Sequence, residues 1–283
     1  MLHKSLALAF TVLSLNAVAQ QTSLKLNKGD QYQVVSDAKT AMSIDAMGQT
    51  IEINGATVTT KTYRVDDIVN GNFQVVSITD KLKMNMEAMG NPVSYDSERK
   101  DNDEQLKEMD KLIGKEERMV VSPAAVMIEK PKRNDGDPDP SALLGGMTSA
   151  ASAGTSNGFD LALPALLKGT LKQGMKWDDS TTTKEAKMNM NISGTYEVVE
   201  ASDAVLKVKY VGTQKVSGSI DQQGMELETS GSNKIEADYF VDPKTGVLNE
   251  STVKVTIGMS MNAMGADMPM TGSVTTVTKV AKK

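Results

Sequence analysis

The sequence predicts a mostly β protein, built as two related antiparallel curved sheets or half-barrels with one or two covering helices. Apolar and polar residues alternate along most segments after residue 20, the pattern of a strand with one buried face. Thr, Val and Ile are frequent in these segments, as strands prefer. Because the alternation leaves one face in water, it favours antiparallel pairing over a buried parallel sheet.

Strands and turns follow one another regularly along the chain. Segments 82–87, 187–192 and 253–261 show the alternation most clearly. Asn70-Gly71 lies between two such segments and predicts a tight hairpin, while Asp242-Pro243-Lys244-Thr245-Gly246 supplies the Pro and Gly that a turn requires. These signals predict a meander of antiparallel hairpins.

One tripeptide, Ala-Met-Gly, occurs three times, each time at the end of an alternating segment: 46–48, 88–90 and 263–265. Gln222-Gln223-Gly224 occupies the same context. Since Gly readily adopts the positive φ of a tight turn, we interpret all four as hairpin tips.

An internal duplication is indicated by two alignments. Lys28-Gly29-Asp30-Gln31-Tyr32 aligns with 173–177, and Thr62-Tyr63-Arg64-Val65 aligns with 195–198. Tyr32 and Trp177 fall at matching positions, either as core anchors or as a ligand platform. Convergent repetition of hairpins is the alternative to a duplication.

The β pattern is interrupted twice. Leu106, Met109, Leu112 and Ile113 recur at helical spacing, and a run rich in Pro, Asp and small residues follows the first half. The predicted organisation is therefore a signal peptide at 1–19, a first half at 22–130 with a helix near 101–115, a linker or flap at 131–157, and a second half at 158–281.

The N-terminus has the form of a secretory signal peptide. A basic start at Met1-Leu2-His3-Lys4 precedes an apolar run at 6–15 and the small residues of Ala17-Val18-Ala19. The run is shorter than the ~20 residues of a membrane span. A buried N-terminal segment is the alternative. We expect cleavage near Ala19 or Gln20 and, since the chain has no lipid-anchor Cys, a periplasmic or extracellular protein.

The composition excludes many activities. His3 is the only histidine and lies in the predicted signal, and cysteine is absent. Catalysis by Ser-His-Asp or Cys-His groups, zinc sites built from His or Cys, and His-ligated haem therefore have no residues to use. A net charge of −5 without a basic block argues against nucleic acid. We predict no enzyme, no cofactor, no metal and no membrane span.

Methionine is the compositional oddity, with 19 residues against 4 Phe, 1 Trp and 6 Tyr. Three interpretations stay open: an adaptable core filler, a deformable apolar surface or cavity, and a soft-metal site for Cu(I). The spread of the Met pairs along the whole chain argues against the metal. The candidate ligand-lining residues are Met42, Met84, Met86, Met188, Met190, Met259 and Met261.

The function predicted from these observations is a non-enzymatic secreted or periplasmic binding or carrier module for an apolar, lipid-like ligand. The first alternative is a structural or envelope-interaction protein with a packed Met-rich core. The second is a Met-based Cu(I) buffer. The partner would be a lipid or another apolar small molecule, and the oligomeric state is left open.

The sequence resembles a family of uncharacterised secreted bacterial proteins, a domain of unknown function. The resemblance rests on the signal peptide, Leu24–Tyr32, Met47-Gly48-Gln49, the turn at 242–246 and a last strand rich in Thr and Val. It implies no activity and no site residues. More distantly, the chain is similar to periplasmic lipoprotein-carrier proteins, which implies a curved antiparallel sheet that cups helices and an acyl chain.

Overall fold

The computed structural model describes residues 20–21, 23–46, 48–100, 102, 104–131, 159–163, 170–185, 187–222, 225–263 and 265–283. This part of the chain contains fourteen strands and one 3-10 helix, at Glu104–Leu112. The strands are β1 (Gln20–Gln21), β2 (Gln31–Ala46), β3 (Gln49–Val69), β4 (Asn72–Ala88), β5 (Asn91–Asp96), β6 (Glu116–Val121), β7 (Met127–Glu129), β8 (Thr170–Leu171), β9 (Lys176–Glu185), β10 (Met188–Ala201), β11 (Leu206–Gln222), β12 (Met225–Val241), β13 (Leu248–Ala263) and β14 (Ala266–Lys282).

Twelve of these strands form one open antiparallel sheet. Its order is β7-β6-β4-β3-β2-β14-β13-β12-β11-β10-β9, with β5 also paired to β4, while β1 and β8 form a separate pair. The predicted antiparallel, mostly β fold is confirmed. The strands of the two predicted halves share this single sheet, because β2 pairs with β14 from Tyr32↔Lys282 to Ile44↔Met270.

The chain takes an unusual route through the sheet. The first half runs outward from β2 to the edge at β7, and the second half starts at the opposite edge, β9, and returns to β14. Almost all of the predicted linker or flap, 131–157, lies outside the described residues.

The aligned segments occupy the same local structure. Gly29 N–H donates to the Val65 carbonyl at 2.8 Å, and Val65 N–H donates back to the Asp30 carbonyl at 2.9 Å. A bulge follows Val65 in β3 and Val198 in β10. The aligned residues of the second half, Gly174, Val198 and Met175, make the same two hydrogen bonds at 2.8 and 2.9 Å.

The hairpin tips lie at glycines with positive φ. Gly48, Gly90 and Gly265 have φ of +81°, +75° and +86°, between strands that pair on either side of each tip. Asn70 and Gly71 have φ of +51° and +79°, as a two-residue turn with positive φ at both positions requires. The fourth predicted tip, at Gln223 and Gly224, lies outside the described residues.

The 3-10 helix covers a small separate cluster. Leu106 and Met109 pack against Met84 and Tyr95. The predicted helix near 101–115 is thus present in a shorter, tighter form. It ends where Ile113 bridges to Thr79, so that sheet pairing replaces helical hydrogen bonds. The second of the one or two predicted covering helices would fall within 141–167; of that range only 159–163 is described, and it forms an irregular turn.

The main core lies on one face of the sheet, under the irregular segment 159–163. Directly paired residues of an antiparallel sheet share a face, and the register from β3 across to β10 places Tyr63 and Tyr196 on the same side. Phe159 and Leu161 pack into the cluster around β2–β4, and Leu163 packs into the cluster around β10–β14. This short segment therefore joins both halves of the core.

Asp160 fixes that segment to the sheet. Its Oδ2 accepts hydrogen bonds from the Tyr63 hydroxyl at 2.7 Å and from Lys61 Nζ at 3.3 Å. The Asp160 side chain is 19% exposed and that of Lys61 35%. The nearby Asp160 charge raises the pKa of Lys61.

We expect Asp160→Ala to lower the free energy of unfolding by about 1–3 kcal/mol, because the buried Tyr63 hydroxyl loses its acceptor. Glu197→Ala is the control: it breaks an exposed ion pair with Lys176, worth at most about 1 kcal/mol. Urea denaturation of both variants provides the measurement. Equal effects would show that Asp160 contributes no more than a surface charge.

Candidate functional site

The seven candidate methionines all lie on the core face of the sheet. The register connects them across strands, for instance Met190↔Val216, Val216↔Gly231 and Gly231↔Met259. Met42 and Met84 are buried and belong to the core, at 4% and 2% exposure. The remaining five are half-buried: Met86, Met188, Met190, Met259 and Met261.

Most of the half-buried methionines gather toward the hairpin-tip end of β10–β14. Met259 pairs with Met270, and Met261 pairs with Met268, which adds two residues that were not among the candidates. Met268 and Met270 are also half-buried. We call this surface the methionine face; its methionines are Met188, Met190, Met259, Met261, Met268 and Met270.

Glycines opposite the methionines leave room for these long side chains. A Cβ on Gly231 would lie 2.5 Å from Met259 Cα and 2.8 Å from its Cγ. Gly218 stands opposite Met188 in the same way, with a φ of +149° that L residues rarely adopt. The side chains can therefore lie flat across the neighbouring strand.

Two buried amides hold sulfur atoms at the inner margin of this face. Asn233, 1% exposed, donates from Nδ2 to Gln214 Oε1 at 2.9 Å and to Met259 Sδ at 3.7 Å. Gln214, 2% exposed, donates from Nε2 to Met190 Sδ at 3.9 Å. Gly258 N–H donates to Asn233 Oδ1 at 3.2 Å, which completes the network. The amides thereby orient two thioethers of the methionine face.

Thr229 is the polar residue within the methionine face. It pairs directly with Met261 and is 5% exposed. Its hydroxyl has no hydrogen-bond partner among the described residues. An unpartnered buried hydroxyl is costly, so a hydrogen bond to it would be favourable.

The aromatic cluster beside the face is structural. Trp177 stacks on Tyr196 with ring centroids 5.0 Å apart and an angle of 13°, and Tyr210 lies 4.5 Å from Tyr196. Tyr196 and Tyr210 are 3% and 4% exposed. Burial raises the pKa of Tyr210 to about 12. Of the two interpretations of Trp177, the stacking on a buried ring favours the core anchor.

Two clefts lie elsewhere on the molecule. One, of about 460 Å³, lies beside the 3-10 helix and is lined by Ser97, Arg99 and Asp110 among other residues. The second, of about 340 Å³, is lined by polar residues of β9 and β10, including Asp178 and Asp179. Neither cleft is lined by methionine. The methionine face therefore lies outside both clefts.

The described residues contain no group of three or more His, Cys, Asp or Glu side chains placed to hold a metal ion. Within the same ranges, no helix is long and apolar enough to cross a membrane.

Part of the chain matches a known family model. Residues 165–248 match the model of a family of unknown function, DUF6263. The predicted resemblance to a family without a known function is confirmed over those residues. No curated protein matches the chain.

Several solved structures match the chain at low similarity. A structure described as lipid-protein interactions in lipovitellin has a TM-score of 0.48 at 9% identity, over 91% of this chain and 26% of that chain. An outer membrane channel from Pseudomonas putida F1 has a TM-score of 0.38 at 10% identity, over 92% and 98%. The chain spans about a quarter of the lipovitellin chain. Likenesses this distant carry no inference about function.

Proposed function

We propose that this protein is a non-enzymatic binding or carrier module for an apolar, lipid-like ligand that docks on the methionine face. One observation carries the proposal: six half-buried methionines of β10, β13 and β14 share one side of the sheet. Flexible, polarizable Met side chains suit the binding of apolar molecules of varied shape.

The chemistry of the face favours an amphiphile with a small polar group. Covering apolar surface contributes roughly 25 cal/mol for each Å² removed from water. The Thr229 hydroxyl can exchange a hydrogen bond with a hydroxyl or carboxyl of the ligand. The rest of the molecule would then lie over the thioethers of Met188, Met261 and Met268, which share a row with Thr229.

The compartment and the lack of catalysis belong to the same proposal. A secretory signal at 1–19 would deliver the protein to the periplasm or the extracellular space, where apolar molecules need carriers between membranes. After cleavage the chain would have neither His nor Cys. Binding without chemistry is the activity that such a residue set supports.

The first test replaces half-buried methionines by a polar residue. We expect Met261→Ser/Met270→Ser to weaken binding of the fluorescent fatty acid cis-parinaric acid at least tenfold, because the two changes remove apolar contact area from the face. Val211→Ser is the matched control. Val211 is 60% exposed on the opposite side of β11, so its replacement leaves the affinity unchanged.

Native mass spectrometry of the protein secreted by its own cell complements the titration. A mass increment matching a lipid is the expected result. The proposal fails if the wild-type protein binds no parinaric acid and carries no added mass. That pair of results would favour the structural or envelope-interaction alternative.

A further inference from the structure

The hairpin β13–β14 places four methionines in two adjacent cross-strand pairs. Met259 pairs with Met270 and Met261 pairs with Met268, all on one side of the sheet and all half-buried. Paired Cβ atoms lie ~5 Å apart across the strands. Successive pairs follow at ~6.6 Å along each strand. Long, flexible Met side chains at the corners of such a rectangle can turn their sulfur atoms toward a common point above its centre.

The direct neighbours of these four residues offer no charged ligand. Their direct neighbours in register are Thr229 and Gly231 on β12 and Ile44 on β2. None of these side chains carries a carboxylate, an imidazole or a thiolate. Thioethers alone are soft, neutral ligands, which select Cu(I) over Zn²⁺, Mg²⁺ or Ca²⁺.

One of the four sulfur atoms already accepts a hydrogen bond. The buried amide of Asn233 donates to Met259 Sδ at 3.7 Å, and the same amide is held by Gln214 and Gly258. This contact holds the Met259 thioether toward β12, so the side chain must turn toward β14 to join the other three methionines around an ion.

We propose that Met259, Met261, Met268 and Met270 form a binding site for one soft monovalent cation, Cu(I) or Ag(I). The site goes beyond the carrier function and depends on thioether chemistry, whereas the carrier function depends on apolar area. The Met pairs are spread along the whole sequence, and this spread by itself argues against a cluster. Pairing of β13 with β14 supplies it, because Met268 and Met270 stand opposite Met261 and Met259.

The test is an anaerobic titration with Cu(I) alone, against the competing chelator bicinchoninate. We expect the full chain to retain one equivalent of Cu(I), and a variant with Leu at all four positions to bind at least a hundredfold more weakly. Met86→Leu/Met89→Leu is the control, since it removes two methionines of β4 and its tip and leaves Cu(I) binding unchanged. X-ray absorption at copper should show sulfur as the only type of coordinating atom.

The pH dependence of the Cu(I) affinity gives an independent readout. Thioethers carry no proton at ordinary pH, so the Cu(I) affinity should stay constant between pH 5 and pH 8. A site of His, Cys or carboxylate ligands would weaken as pH falls, since those ligands must lose their protons. A strong loss of affinity at pH 5 would overturn the proposal.

The Leu variants separate this site from the carrier function. Exchange of Met for Leu conserves volume and usually costs less than ~1.5 kcal/mol, so parinaric acid binding should persist while Cu(I) binding disappears. Should the fourfold variant fail to fold, Met261→Leu/Met268→Leu carries the same test. The proposal is overturned if wild-type protein loses all Cu(I) to the chelator, or if the Leu variants retain it as wild type does.

Discussion

Raising the pH above 10 is expected to unfold this protein in one cooperative step. All six of its tyrosines are 4% exposed or less, and burial raises the pKa of each phenol above its ordinary value near 10. The pKa of Tyr32, for example, reaches about 12. A folded phenol therefore stays protonated where an unfolded one ionises.

Proton linkage explains why a rise in pH lowers the stability of the folded state. A group with a raised pKa in the folded state contributes its full stability below the unfolded pKa, and loses it as pH rises toward the folded value. Each tyrosine therefore withdraws roughly 1 kcal/mol of stability for each pH unit above 10. Six such groups at pH 11 approach a typical total stability of about 5–15 kcal/mol. Lys61, whose pKa is raised by Asp160, acts in the same direction at still higher pH.

Circular dichroism and tyrosinate absorbance, followed together from pH 8 to pH 12, provide the measurement. We expect both signals to change in one transition between pH 10 and pH 12. Tyr210→Phe removes one ionisable phenol, so the transition should become shallower by about one proton. Tyrosinate that forms gradually near pH 10 while the sheet persists would contradict the prediction.

Replacing Gly272 by Ala is expected to cost about 3 kcal/mol or more of unfolding free energy. Gly272 stands in β14 opposite Met42, with a φ of +156° that an L residue adopts only under strain. A Cβ there would overlap the Ala41 carbonyl oxygen and lie 2.7 Å from Met42 Cα. Both partners belong to the strand that joins the two halves, so neither can move away without disturbing that pairing.

Gly258→Ala is the matched control in the adjacent strand. Gly258 is exposed. A Cβ at this position would lie 3.2 Å from the Ser232 carbonyl oxygen. We expect a cost below about 1 kcal/mol. Guanidinium denaturation of both variants should separate them by at least 2 kcal/mol. Similar losses of unfolding free energy in the two variants would show that the backbone of β14 shifts to accommodate a Cβ at Gly272.

Local features of the fold could be predicted from the sequence because they depend on neighbouring residues. The Gly48, Gly90 and Gly265 tips follow from the need for positive φ, and alternation assigned the candidate methionines to one face. The alignment of Val65 with Val198 also predicted residues with equivalent hydrogen bonds. None of these inferences requires knowledge of a distant partner.

Features that depend on distant pairing could not be predicted in this way. Nothing local indicates that Tyr32 pairs with Lys282, or that Asn233 and Gln214 become buried beneath sulfur atoms. Met268 and Met270 follow the last predicted tip and were not included among the candidates. The register of β14 against β13, set by the Gly265 tip, brings them opposite Met261 and Met259.

The pairing of β2 with β14 determines the order in which this protein can fold. Ser36 bonds to Thr278 through their hydroxyls at 3.1 Å, across 242 positions of sequence. As the chain is synthesised, each hairpin can form as soon as its second strand emerges. One edge of β2, by contrast, stays unpaired until β14, the final strand of seventeen residues, is complete. Contacts this far apart in sequence slow folding. During that interval the free edge of β2 is open to any passing strand, including β14 of another copy.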